Sequence, residues 1–103
     1  MRRVTQNSVN AFMRDQNYAE GNTTVRTAVE SGGGEYYTEM YLHGNRIARK
    51  LMNQEAGIQI TNCGYSTNVT KERLNGLPGV NIVQKNCEWY LNGKEWNGEL
   101  IEV

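Results

Sequence analysis

The chain reads as an α+β domain in which two short helices pack on a mainly antiparallel sheet. Three observations carry that reading. Two Thr-led segments have helical apolar spacing, several stretches alternate apolar and polar residues, and the alternating stretches end in Gly-containing turn pairs. A helix followed by a hairpin also occurs twice in the same order. An internal αββ repeat is therefore expected within one domain spanning 1–103, with halves of about 1–52 and 64–103.

Residues 4–12 (Val-Thr-Gln-Asn-Ser-Val-Asn-Ala-Phe) match residues 69–77 (Val-Thr-Lys-Glu-Arg-Leu-Asn-Gly-Leu) at Val, Thr and Asn. Thr5 and Thr70 are expected to cap the two helices, since a threonine hydroxyl can accept from first-turn N–H groups. Val4 with Val9, and Val69 with Leu74, then have the spacing of a hydrophobic staple. Pro78 and its neighbours end the second helix. Helices this short do not persist alone and must be held by packing on the sheet.

The first strand is expected at Thr23–Val29, with Val25, Thr27 and Val29 facing inward. Glu39–His43 follows, placing Met40 and Leu42 inside and Glu39, Tyr41 and His43 outside. His43-Gly44 or Gly44-Asn45 turns the chain, and Ile47 faces the core on the return. Gly57–Asn62 alternates strongly, and Val80–Gln84 follows the second helix. Next, Cys87, Trp89 and Leu91 are expected inside, with Glu88 and Tyr90 outside. Asn92-Gly93 is the preferred pair for a type I′ turn, after which Trp96 returns to the core and Leu100–Val103 resumes a strand. Hairpins and short connections favour antiparallel pairing, in a sheet either continuous or split.

Composition narrows the function. Eleven Lys+Arg balance eleven Asp+Glu, and the pI is near 6.6, which argues against nucleic-acid or membrane binding by bulk positive charge. Mean hydropathy is −0.70, but six Tyr and two Trp supply large apolar area to bury. No apolar run approaches the roughly 18–20 residues of a membrane span. Arg2 and Arg3 are followed by no apolar stretch of the kind a secretory signal needs, so a cytoplasmic setting is expected. Cys63 and Cys87 are read as reduced thiols, and the sequons at Asn22 and Asn68 as chance matches.

Catalytic patterns are absent. Ser31-Gly32-Gly33-Gly34-Glu35 lacks the Lys-Ser/Thr and helix of a phosphate cradle and reads as a mobile loop. His43 is the single histidine, and no ligand spacing suggests a metal. No cofactor and no enzymatic activity are expected. Binding surfaces are better supported. Outward Tyr37, Tyr41 and Tyr90 with Glu39, Glu88 and His43 would form an aromatic, polar sheet face. Tyr65, Thr70, Lys71 and Arg73 surround a helix N-terminus suited to an anion. Arg46, Arg49 and Lys50 share one strand, although simple alternation divides Arg46 and Lys50 from Arg49.

Val9-Asn10-Ala11-Phe12, Tyr41 through Ala48, Leu74-Asn75-Gly76-Leu77 and Trp89 through Trp96 resemble a family of small uncharacterised proteins from tailed phages and prophages. The motifs are structural: caps, turns and core aromatics. The resemblance implies a phage origin and a host-cell cytoplasmic setting, and brings no catalytic residue. The resulting expectation is a non-enzymatic accessory protein that binds a macromolecule, foremost a host or defence-system protein and secondarily nucleic acid. The alternative is a binder that sequesters a nucleotide-type small ligand. No membrane partner is expected, and edge pairing into a homodimer is compatible with the pattern.

Overall fold

The computed structural model describes residues 2–29 and 32–103. In chain order the elements are α1 (Arg3–Met13), β1 (Tyr18–Glu20), β2 (Thr23–Val29), β3 (Tyr36–Leu42), β4 (Asn45–Leu51) and β5 (Gln59–Ile60), then α2 (Asn68–Asn75), β6 (Ile82–Lys85), β7 (Glu88–Leu91), β8 (Lys94–Glu95) and β9 (Ile101–Glu102). Every pairing is antiparallel. The strands form two sheets, a six-stranded one in the order β1-β2-β3-β4-β5-β9 and a three-stranded one in the order β6-β7-β8. The class is α+β as the sequence predicts, and the sheet is split. Of the loop expected at Ser31–Gly34, Ser31 lies outside the described residues.

Local chemistry explains the hairpins. At the β3–β4 turn His43 and Gly44 adopt φ of 52° and 79°, and at the β7–β8 turn Asn92 and Gly93 adopt 52° and 88°. Positive φ at both central residues is the type I′ geometry whose twist suits antiparallel strands. Each turn is tied to the residue just ahead of the neighbouring strand: His43 N–H donates to the carbonyl of Asn22, before β2, and Asn92 N–H to that of Asn81, before β6, both at 2.8 Å. The two units otherwise differ. The helices have 11 and 8 residues, and β3 has 7 residues against 4 in β7. Shared turns and element order do not establish the expected repeat.

The helix starts depart from expectation for a physical reason. α1 begins at Arg3, before Thr5, and its N-cap Arg2 makes no side-chain cap bond. Thr5 is fully buried instead. Its hydroxyl donates to Glu72 Oε1 at 2.6 Å and accepts from Arg73 Nη1 at 2.5 Å. In α2 the cap is Thr67, whose hydroxyl accepts from Thr70 N–H at 3.1 Å. Thr70 is buried inside the first turn, 2.9 Å from the Thr67 hydroxyl. Local propensity gave a choice of nearby hydroxyls, and a buried guanidinium took Thr5.

That guanidinium is Arg73, which is 1% exposed. Its Nε donates to Thr23 Oγ1 on β2 at 3.1 Å, and its Nη1 also donates to Glu72 Oε1. Glu72 in turn accepts from the Arg2 N–H at 3.0 Å. One charged side chain thus joins α1, α2 and β2. A second buried cation holds the other end of α1. Lys50 donates to Asp15 Oδ1 at 2.7 Å, beside bonds to Asp15 from the Thr38 hydroxyl at 2.5 Å and the Asn53 N–H at 2.9 Å.

Around these polar ties lies one apolar cluster drawn from both helices and both sheets. Met40, Leu42, Trp89 and Leu91 are 0%, 4%, 6% and 6% exposed, and Ile47 and Trp96 also face inward as expected. Two expectations fail. Thr27 and Val29 are exposed, because only the Thr23–Val25 part of β2 is covered. Cys87 is exposed too: with Asn86 it forms a turn at φ of 53° and 66°, so the strand starts only at Glu88. The C-terminal segment is seated by Gly98, at φ 92°, where an added Cβ would lie 2.1 Å from Asn62 Nδ2. Its carbonyl accepts from Asn62 N–H at 3.1 Å and from the Thr61 hydroxyl at 2.6 Å.

Two outcomes follow. Arg73→Met, which keeps the stem but takes from Glu72 its cation and from two threonine hydroxyls a buried donor, should destabilise by about 3 kcal/mol in urea unfolding. Acid should also destabilise. Partial burial would raise the carboxyls of Asp15 and Glu72, but hydrogen bonds outweigh it, from Lys50, Thr38 and Asn53 in one case and from Thr5 and Arg2 in the other, and both sit below the usual range. Their stabilisation is complete above about pH 5, beyond the unfolded values, and is lost as pH falls through the lowered folded values. An acid titration followed by circular dichroism should show a flatter limb in Asp15→Asn.

Candidate functional site

The outer face of the six-stranded sheet, turned away from the apolar cluster, is the most organised polar surface. Cross-strand register builds it: Arg26 pairs with Glu39 and Glu39 with Arg49, while Thr24 pairs with Tyr41 and Tyr41 with Arg46. Between Met40 and Tyr41 the register shifts, because Ile47 is an extra residue on β4. This β-bulge changes which side chains share a face. Arg46 and Arg49 come to the same side, while Lys50 points inside, where it is 1% exposed. The division of Arg46 from Arg49 expected from strict alternation is thereby corrected.

Glu39 is the hub of this face, with a side chain 8% exposed beneath the more open Arg26 and Arg46. Arg46 Nη1 donates to Glu39 Oε2 at 2.8 Å, and the Tyr41 hydroxyl to Oε1 at 2.9 Å. Arg26 Nε lies 3.5 Å from Oε1. Burial alone would raise the Glu39 carboxyl, but the bonds from Arg46 and Tyr41 hold it below the usual range. Arg26 Nη2 donates to the Tyr41 hydroxyl at 2.9 Å while its guanidinium sits 4.7 Å from the ring centroid. Arg49 stacks on Tyr37 at 4.5 Å, and its Nε donates to Gln59 at 2.7 Å. The result is a fixed layer of three guanidinium groups and two phenols over one carboxylate. Side chains held this way lose little further freedom on binding.

Tyr37, Tyr41 and Arg46 are therefore brought together. Tyr90 is not: it lies half-buried on the small sheet, between Val83 and Glu95. His43 stands at the β3–β4 turn, its Nε2 3.4 Å from Asn22 Nδ2. With Tyr65 and Thr70 it lines a cleft of about 410 Å³ whose other walls include Leu42, Ile47, Asn62 and Val69. Lys71 stands outside that cleft, donating to Gln84 on β6 at 3.2 Å. Arg73 is interior. The cationic helix N-terminus expected from Thr70, Lys71 and Arg73 is thus dispersed, because Arg73 binds Thr5 and Thr23 rather than solvent. Sequence reading passed over Arg26 and Gln59. Arg26 could have been found, since it alternates with the inward Val25.

Among the described residues no group of three or more His, Cys, Asp or Glu is placed to hold a metal, and no helix is long and apolar enough to cross a membrane. Cys63 and Cys87 are both free and exposed; the Cys63 thiol donates to the Arg46 carbonyl at 2.9 Å.

The chain matches no curated protein and no solved structure. The model of one family, described as the Kyanoviridae Gp96 protein, matches residues 1–101. With nearly its whole length inside that match, the chain belongs to the Kyanoviridae Gp96 family, a phage family of uncharacterised proteins.

Proposed function

We propose that this phage protein is a non-enzymatic binding module that holds a host or defence protein against the outer face of its large sheet. The observation that carries the reading is the Arg26–Tyr41–Glu39–Arg46 layer with its Arg49–Tyr37 neighbour. Tyr and Arg are the residues enriched where protein interfaces concentrate their binding energy. Three arginines against one carboxylate leave the face locally positive and complementary to an acidic partner surface. The chain as a whole has no net charge, which favours a shaped protein partner over a polyphosphate backbone held by bulk attraction.

A small-ligand reading rests on the cleft beside His43 and Tyr65. Its walls carry amides, hydroxyls and apolar groups, with no Lys or Arg among them. It suits an uncharged aromatic or sugar-like group better than the phosphate of a nucleotide.

Immobilised protein should retain a host protein from nuclease-treated lysate, and the double variant Tyr37→Ser, Arg49→Glu should lose it while keeping the wild-type circular dichroism spectrum. Equal retention by both would remove the sheet face from consideration, and retention abolished by nuclease would assign the face to nucleic acid. In a thermal-shift panel of mono-, di- and cyclic nucleotides, no nucleotide should raise the melting temperature. A ligand at one hundred times its Kd would add about 2.7 kcal/mol, so a clear shift would move the reading to the cleft.

A further inference from the structure

The two sheets end beside one groove of about 890 Å³. One bank is β8, the last strand of the small sheet, and the other is β9, the last strand of the large sheet. The direction of their free peptide groups follows from the pairing. Val103 N–H donates to the Ile58 carbonyl at 2.8 Å and Trp96 N–H to the Trp89 carbonyl at 3.0 Å. In an antiparallel ladder hydrogen-bonded and non-hydrogen-bonded pairs alternate. With Ile58–Val103 and Trp89–Trp96 bonded, the next pairs, Gln59–Glu102 and Tyr90–Glu95, are the non-bonded ones. The N–H and C=O groups of Glu102 and Glu95 therefore point away from their own sheets, toward the open edges.

The lining decides what kind of chain these edges suit. Trp89 and Trp96, with ring centroids 6.2 Å apart and each 6% exposed, show the groove a narrow apolar margin of the core. Four glutamates, Glu88, Glu95, Glu99 and Glu102, face one lysine, Lys94. Glu88 and Glu95 crowd each other, and the hydrogen bond between them holds the Glu88 carboxyl above the usual range. An incoming cation would relieve that repulsion.

We propose that the groove takes an extended basic peptide of a partner protein as an added strand along the free edge of β8 or β9, its Lys or Arg side chains meeting the glutamates and alternate apolar ones meeting the indoles. Main-chain bonds to a sheet edge supply affinity in this mode, and alternate side chains supply selectivity. This surface is distinct from the arginine–tyrosine face, so either proposal can fail alone.

Trp89 and Trp96 are the protein's two tryptophans and both line the groove, so intrinsic fluorescence reports on it directly. The probe is a capped eight-residue peptide alternating Lys and Val. It should change the tryptophan emission saturably, and protect the Glu95 or Glu102 amide from hydrogen exchange. Its Glu–Val counterpart should bind at least tenfold more weakly, and so should a Lys–Val peptide N-methylated at alternate residues. Glu95→Lys or Glu102→Lys, each at an exposed position, should weaken binding by a similar factor. No emission change at millimolar peptide would overturn the proposal. Equal binding of the N-methylated peptide would overturn it as well, leaving charge adsorption without strand pairing. A concentration-dependent emission change without any peptide would give the groove to a second copy of the chain and equally exclude the proposed occupant.

Discussion

The arrangement of the two helices over the large sheet depends on a single buried guanidinium. Arg73 reaches Thr5 on α1 and Thr23 on β2 from its place on α2, and Glu72 beside it balances the charge. A charge at 1% exposure is costly unless every donor is used. Its partners come from chain segments about 50 and 68 residues away, so the bonds form only when the helices and the first long strand are together. This makes the interaction a registry device as much as a source of stability. Gly76 completes the approach: a Cβ there would lie 2.8 Å from Val9 Cγ2 and 2.9 Å from Thr5 Cγ2, so the two helices meet across a residue with no side chain.

What could be read from the sequence divides along the range of the interactions. Turns are local, and His43-Gly44 and Asn92-Gly93 lie where the sequence puts them. The inward set Met40, Leu42, Ile47, Trp89, Leu91 and Trp96 follows from alternation, which any half-buried strand imposes. Helix caps were misplaced because Thr5 and Thr70 offer a cap hydroxyl and staple spacing locally, while the deciding partners of Thr5 lie on another helix. β1, with 3 residues, was missed because so short a segment carries no period. Cys87 satisfied the alternation but falls on a turn residue with positive φ.

The candidate surface was half legible. Tyr37, Tyr41 and Arg46 share a face, as alternation suggests. The rest of that face depends on which strands pair and in which register, information that no single strand contains. Alternation places Glu39 on this face beside the tyrosines but assigns it no partner. Only pairing with β2 and β4 turns it into the anchor of two guanidinium groups. Conversely, Thr70 and Arg73 were grouped with the nearby Tyr65, and the fold keeps Thr70 beside it but sends Arg73 into the interior.

The extra residue at Ile47 decides how the exposed face of β4 is specified. It sets the frame in which β4 is read against β3, so the chemistry of the exposed face is decided by residue count as well as residue type. Exchanging one side chain for another alters a single spot. Were the same residues paired without the bulge, Arg49 would turn inward and Lys50 outward, and Asp15 would be separated from its partner at the same stroke.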